Sequence, residues 1–173
     1  AGSRLIVDET VRDALFEKIA AHAKSFTPGD PLEAATRMGS LVTQEQMERV
    51  LGYIDAGRAE GATTLVGGSR VRLETGGFYV EPTIFDGVRN DMKIAREEIL
   101  GRGLSAITVK GFDEAMEVAN DTIYGLAGAV WTGSIKNAHR AAKAIKAGVV
   151  WVNCFDRGSM AVPFGGFKQS GFG

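Results

Sequence analysis

From residue 104 to residue 152 the chain switches repeatedly between two hydrophobic periodicities, and few folds accommodate that pattern. Residues 104–109 form an apolar run of strand length. Residues 112–120 carry helical spacing, led by Asp113 and Glu114, where acids suit the positive end of the helix dipole. Residues 126–131 again read as a strand, and 134–147 as a helix rich in Ala and Lys that Gly148 stops. Val149-Val150-Trp151-Val152 then reads as a buried, central strand. Strands separated by helices return parallel to one another, because a crossover of that length replaces the hairpin. The expected fold class is therefore α/β, a three-layer αβα arrangement whose mostly parallel sheet is covered on both faces.

The first half extends the pattern. Residues 4–7 read as a strand, and Asp8 is expected to cap a helix that buries Val11, Leu15, Ile19 and Ala23. Pro28, Gly29 and Pro31 mark a connector. Thr43 and Gln46 have capping-box spacing ahead of a second helix, with Met47, Val50, Leu51 and Ile54 as its inner stripe and Gly61 past its end. Short strands are expected at 64–66, 78–80 and 83–85, around Gly67-Gly68 and Gly76-Gly77, with Pro82 placing them partly at a sheet edge. Asp91 is expected to cap a short helix running towards Glu98. No repeat, low-complexity tract or linker interrupts the 173 residues, which read as a single domain, 1–173.

Charge narrows the classes of function. The net charge is −1 with the signs interspersed, which argues against a nucleic-acid or anionic-membrane partner. No apolar run approaches membrane-spanning length, and the start does not resemble a signal peptide. A single cysteine, Cys154, excludes an internal disulfide and suits a reducing compartment, so a cytoplasmic location is expected.

The last 25 residues hold the densest motif. After Val152 come Asn153, Cys154, Phe155, Asp156 and Arg157, and then a stretch rich in glycine and aromatic residues, Pro163-Phe164-Gly165-Gly166-Phe167-Lys168-Gln169-Ser170-Gly171-Phe172-Gly173. Glycine lets backbone approach a ligand or another segment, and aromatic rings supply rigid walls. The wording resembles the end of the catalytic domain of NAD(P)-dependent aldehyde dehydrogenases. Three further stretches resemble that family in the same order. Ala1-Gly2-Ser3-Arg4 looks like the segment directly after its nucleophilic cysteine. Arg96-Glu97-Glu98-Ile99-Leu100-Gly101 looks like its Glu-Glu-Ile-Phe-Gly-Pro segment. Ala119-Asn120-Asp121-Thr122-Ile123-Tyr124-Gly125-Leu126 looks like its Ala-Asn-Asp-Thr-x-Tyr-Gly-Leu segment. The substrate-facing loop is most similar to those of γ-glutamyl-γ-aminobutyraldehyde and other aminoaldehyde dehydrogenases.

The resemblance implies an oxidoreductase that converts aldehydes to carboxylic acids with NAD or NADP through a cysteine thiohemiacetal and thioester. It implies that the nucleophile lies just ahead of Ala1, so no catalytic residue is expected within the chain. The dinucleotide-binding domain and a C-terminal oligomerisation tail are likewise expected outside it, and the 173 residues alone are expected to be inactive. The parent is expected to be a homo-dimer or homo-tetramer acting on a small-molecule aldehyde. In the family the second Glu of the pair hydrogen-bonds the nicotinamide-side ribose, a role that falls on Glu98. Leu100 stands where a Phe usually packs beside the nicotinamide. Phe155, Asp156, Arg157, Gly158 and Phe164 resemble the loop that walls the aldehyde tunnel.

The residues themselves leave alternatives open. Glu98 also reads as a solvated helix acid, and Asp156 with Arg157 as a surface ion pair. Residues 101–106 match the dinucleotide fingerprint Gly-x-Gly-x-x-Gly/Ala, but that fingerprint needs a strand before it and a helix starting inside it. Here a strand comes after it, so a tight turn is expected. Arg102 and Gly103 stand where the family has Pro and Val, and a looser turn is expected from the loss of proline. Cys154 follows a strand with no histidine nearby and reads as an inert residue. His22 and His139 lack metal-ligand spacing, and no metal is expected. A non-enzymatic domain that acts by binding or self-association is the alternative function.

Overall fold

The computed structural model describes residues 2–173. Ala1, the first residue of the Ala-Gly-Ser-Arg motif, lies outside the described residues. The chain folds as two compact units, Ala1–Val109 and Lys110–Gly173.

The first unit is built on a four-stranded sheet. Its strands are β1 (Arg4–Asp8), β2 (Thr63–Val66), β5 (Thr83–Asp86) and β6 (Gly103–Val109), in the spatial order β1-β6-β5-β2. β6 runs parallel to β1 and to β5, whereas β2 is antiparallel to β5. The sheet is therefore mixed, within the α/β class. Strands β3 (Arg70–Val71) and β4 (Tyr79–Val80) form a separate two-stranded ribbon.

Register decides what covers each face. Leu5 lies opposite Ala106, and Ala106 joins Val7 and Phe16 in one buried cluster. Phe16 belongs to helix α1 (Arg12–Ala23), so α1 covers that face. The next residue on β6, Ser105, points to the other face and donates its hydroxyl to the Ile94 carbonyl at 2.9 Å. Ile94 lies in the short helix α3 (Lys93–Arg96) and packs with Phe85 against Gly57 of helix α2 (Gln44–Ala59). Helices thus cover both faces of this sheet. Phe85, fully buried, contributes about 1.5–3 kcal/mol through removal of its ring from water.

Several local expectations are corrected here. Asp8 is not the cap of α1. The cap position is Val11, half exposed, and the Asp8 carboxylate instead holds the amide and hydroxyl of Thr10. Phe16, absent from the expected stripe, is the anchor of the buried face. The expected sheet edge falls on β2, whereas β5, which Pro82 precedes, lies between β6 and β2, and the proline outside it costs the ladder no donor. α3 starts after Met92, not Asp91, which pairs with Arg89 at 3.2 Å. It also ends at Arg96, leaving Glu98 outside the helix. By contrast, Thr43 caps α2 as expected, its hydroxyl accepting from the Gln46 amide at 3.1 Å.

In the second unit, helix α4 (Gly111–Asn120), strand β7 (Ala127–Val130), helix α5 (Ile135–Ala144) and strand β8 (Val149–Val152) follow in order. β7 and β8 are parallel, with Ala127 opposite Val149 and Val130 opposite Val152. Among the described residues β8 pairs with β7 alone, and Val149–Val152 is half-buried to exposed, so it is neither central nor buried as expected. α5 ends at Ala144, before Gly148, and the cause is Asn120. Its amide donates to the Ala144 carbonyl at 2.8 Å and accepts from the Lys146 amide at 2.7 Å, which satisfies the helix end and turns the chain out of it.

Candidate functional site

The candidate residues fall in both units, and each group is built locally. In the first unit the segment after α3 runs from exposed Glu98 through buried Ile99 to exposed Leu100. Ile99 is the anchor. Its burial leaves the Glu98 and Leu100 side chains exposed on either side of it, and the Gly101 amide donates to the Ile99 carbonyl at 2.7 Å, so the chain turns at Leu100. The neighbouring acid, Glu97, accepts the Tyr53 hydroxyl at 2.8 Å, whereas Glu98 has no hydrogen bond or ion pair among the described residues. A free carboxylate beside a leucine that is 61% exposed suits a ribose diol next to an apolar ring face. Glu98 lies outside α3, so it is not a helix acid, but its exposure fits a solvated acid as well as a ribose ligand.

The turn after Leu100 is held firmly. The Gln46 amide donates to the Leu100 carbonyl, the Thr83 amide to the Arg102 carbonyl at 2.7 Å, and the Arg102 guanidinium to the Gly39 carbonyl at 2.7 Å. These hydrogen bonds, two of them through Arg102, hold the turn at the place where the family has proline. Arg102 retains one buried nitrogen, Nε, without a partner, and burial lowers the pKa of the guanidinium from its ordinary value. Gly103 opens β6 rather than a helix, which removes the phosphate-cradle reading of residues 101–106.

In the second unit the substrate-loop candidates leave the end of β8. Asn153 closes the two-stranded ladder. Its amide donates to the Val130 carbonyl at 2.8 Å, and its side chain takes both the Thr132 amide (2.9 Å) and carbonyl (3.1 Å). Asn153 and Asp156 adopt left-handed φ values of 54° and 53°, a conformation Asn and Asp tolerate better than other non-glycine residues. The Phe155 ring lies 5.1 Å from that of Trp151, and the Trp151 indole donates to the Arg157 carbonyl at 2.8 Å. The backbone of the loop tip is thus pinned while Phe155, Asp156, Arg157 and Gly158 remain exposed. No ion pair joins Asp156 and Arg157 among the described residues. Phe164 is 64% exposed.

The two family-like stretches of this unit are bonded to one another. Gly125 is the hub: its carbonyl accepts the amides of Gly148 (3.0 Å) and Phe167 (2.9 Å), and its amide donates to the Ser170 hydroxyl at 3.1 Å. A Cβ on Gly125 would stand 2.7 Å from the Lys146 carbonyl oxygen, so only glycine fits. The Gln169 amide donates to the Ile123 carbonyl at 3.1 Å, and the Lys168 ammonium to the carbonyls of Asn120 (2.8 Å) and Thr122 (2.9 Å). Sequence reasoning gave Lys168 and Asn120 no role of their own. Their membership of the two motifs was the available signal.

Cys154 is half-buried and free of disulfide. Among the described residues no group of three His, Cys, Asp or Glu is placed to hold a metal ion, and no helix is long and apolar enough to cross a membrane. Two surface grooves, of about 280 Å³ beside Pro28, Val71 and Pro82 and about 350 Å³ over Phe112, Met116 and Arg140, contain none of the candidate residues.

Comparison with known proteins accounts for the pattern. The model of the aldehyde dehydrogenase family matches residues 1–173. An aminoacetaldehyde dehydrogenase of Pseudomonas aeruginosa is 45% identical over 173 residues, which are 100% of this chain and 34% of that protein. The structure of a γ-glutamyl-γ-aminobutyraldehyde dehydrogenase from Burkholderia cenocepacia superposes with a TM-score of 0.96 at 54% identity, covering 100% of this chain and 35% of its own. An indole-3-acetaldehyde dehydrogenase of P. syringae, in complex with NAD+, gives 0.96 at 52% identity over 99% of this chain and 34% of its own. The chain therefore spans about a third of the length of the relatives it matches.

Proposed function

The chain belongs to the aldehyde dehydrogenase family, and we propose that the protein containing it oxidises aldehydes with a polar or charged tail to carboxylic acids, using NAD(P)+. The observation that carries this reading is the family match over every residue. The internal bonding of the family-like motifs supports it.

In this reading a cysteine thiolate from sequence ahead of Ala1 adds to the aldehyde carbon to give a thiohemiacetal; that carbon gives up a hydride to become a thioester, and water hydrolyses the thioester to the acid and the free thiol. The dinucleotide, when bound, supplies the hydride acceptor. Glu98 fits it on the present geometry: a free carboxylate accepts from two vicinal hydroxyls at once, and Leu100 offers an apolar surface two residues away. Phe155 and Phe164 wall the approach to the reacting carbon, and Gly158 leaves room for a long substrate. Asp156 and Arg157, exposed and not paired with each other, are available to opposite charges on the substrate tail. The names of the aminoacetaldehyde and γ-glutamyl-γ-aminobutyraldehyde relatives support that preference, since both substrates carry polar tails.

The test is kcat/KM of the full-length enzyme for γ-glutamyl-γ-aminobutyraldehyde and for propanal, in wild type and Arg157→Ala. Wild type is expected to favour the polar aldehyde. The variant should lose several-fold on that substrate alone, as an exposed ion pair worth about 1 kcal/mol implies. Because the Trp151 bond goes to the Arg157 backbone, the loop keeps its shape in the variant. Equal efficiency for both substrates, with no loss in Arg157→Ala, refutes the proposed substrate class.

A further inference from the structure

Lys168 stands in a left-handed backbone conformation, φ +56°. Glycine adopts that conformation without strain, and this stretch uses glycine freely, at positions 165, 166, 171 and 173. A lysine there calls for a reason in its side chain. Its ammonium donates to the carbonyls of Asn120 (2.8 Å), the last residue of α4, and Thr122 (2.9 Å), two residues on. Two charge-assisted bonds to one short segment fix the lysine far more firmly than solvent would.

The bond to Asn120 reaches further. The side chain of the same asparagine holds both sides of the end of α5, at Ala144 and Lys146. The Phe167 amide, next to Lys168, is on the Gly125 carbonyl, which also takes the Gly148 amide directly ahead of β8. Lys168 therefore ties the loop that carries Phe164 to the residues from which β8 departs, and the loop that leaves the far end of β8 carries Phe155 and Arg157.

We propose that Lys168 is a positioning residue for aldehyde binding: its ammonium clamp on Asn120 and Thr122 sets where Phe164 stands relative to the loop that leaves β8. The proposal rests on the aldehyde-oxidising function proposed for the whole protein. Lys168 acts through the backbone it holds.

The experiment uses the full-length enzyme with Lys168→Met, which keeps the length and apolar stem but donates nothing, and Lys168→Arg, whose fork donates to two carbonyls. Lys168→Met is expected to raise the KM for the aldehyde roughly ten- to a hundredfold, the scale set by a misplacement of about 1 Å. The KM for NAD+ should change less than about twofold, a split that a general loss of folding would not produce. Lys168→Arg should recover most of the loss. Amide hydrogen exchange supplies a readout independent of activity: Phe167 and Gln169 should lose protection in Lys168→Met and regain it in Lys168→Arg. Unchanged aldehyde KM in Lys168→Met overturns the proposal, as do equal rises in both KM values or a failure of arginine to restore. A wild-type enzyme that oxidises no aldehyde refutes the parent reading and this role with it. An active wild type with an unaffected Lys168→Met refutes this role alone.

Discussion

Gly148→Ala tests whether the glycine-rich terminus is folded against its motif partner or merely lies beside it. Gly148 donates its amide to Gly125 and sits one residue ahead of β8. A methyl group there would lie far inside contact distance of the Gly165 carbonyl oxygen, 2.6 Å from that carbonyl carbon and 3.0 Å from the Gly166 Cα. All three atoms are backbone, so no rotamer relieves the clash. Ordinary heavy-atom contacts begin at about 3.5 Å, so residues 165 and 166 must retreat by more than about 1.5 Å, the carbonyl oxygen setting the distance. Overpacking of this kind costs about 1–3 kcal/mol. For a chain of this size that corresponds to roughly 2–4 °C in Tm per kcal/mol. Gly133→Ala is the control, because nothing lies within 4 Å of its Cβ. The assay is a thermal melt of both variants with amide exchange at Phe167. Expected is a Tm lowered by several degrees, or loss of Phe167 protection if the loop lifts away instead, in Gly148→Ala alone. A Tm and a protection pattern equal to those of Gly133→Ala would refute the close approach and the reasoning built on it.

Three further outcomes are expected. In the full-length enzyme Glu98→Gln should weaken ribose recognition or slow hydride transfer, by about 1.5–3 kcal/mol for one charge-assisted bond, while acyl-enzyme formation survives; unchanged kinetics with both dinucleotides would make Glu98 a plain surface acid. Cys154→Ser should retain kcat within about twofold, since an isolated half-buried thiol is not expected to act as the nucleophile; loss of the burst of reduced cofactor would assign it that role. Ser105→Ala removes a buried hydroxyl bond to the Ile94 carbonyl and should destabilise the chain by about 1–3 kcal/mol, read as a lower denaturant midpoint at constant m-value.

The sequence alone determined what depends on neighbours a few residues apart. The alternation of periods 2 and 3.6 was enough for the α/β class, because burial of one face is a local demand on spacing. Thr43 was identified as a cap because its partner amide is three residues away. The four ordered motifs pointed to the family, and with it to Glu98, Leu100 and the loop from Phe155 to Phe164. Tertiary structure decided every feature whose partner is remote. Pro82 suggested an edge, yet β5 is flanked on both sides by strands whose positions no local pattern encodes. The end of α5 was read at Gly148, but an asparagine 24 residues earlier stops it at Ala144. Gln46 looked like half of a capping box, and its side chain instead holds the Leu100 carbonyl, 54 residues on. Lys168 resembled one more residue of a loop until the fold brought it to Asn120 across 48 residues. A backbone carbonyl accepts from any donor that reaches it, so sequence specifies which groups need partners, and only the packed chain decides which partner arrives.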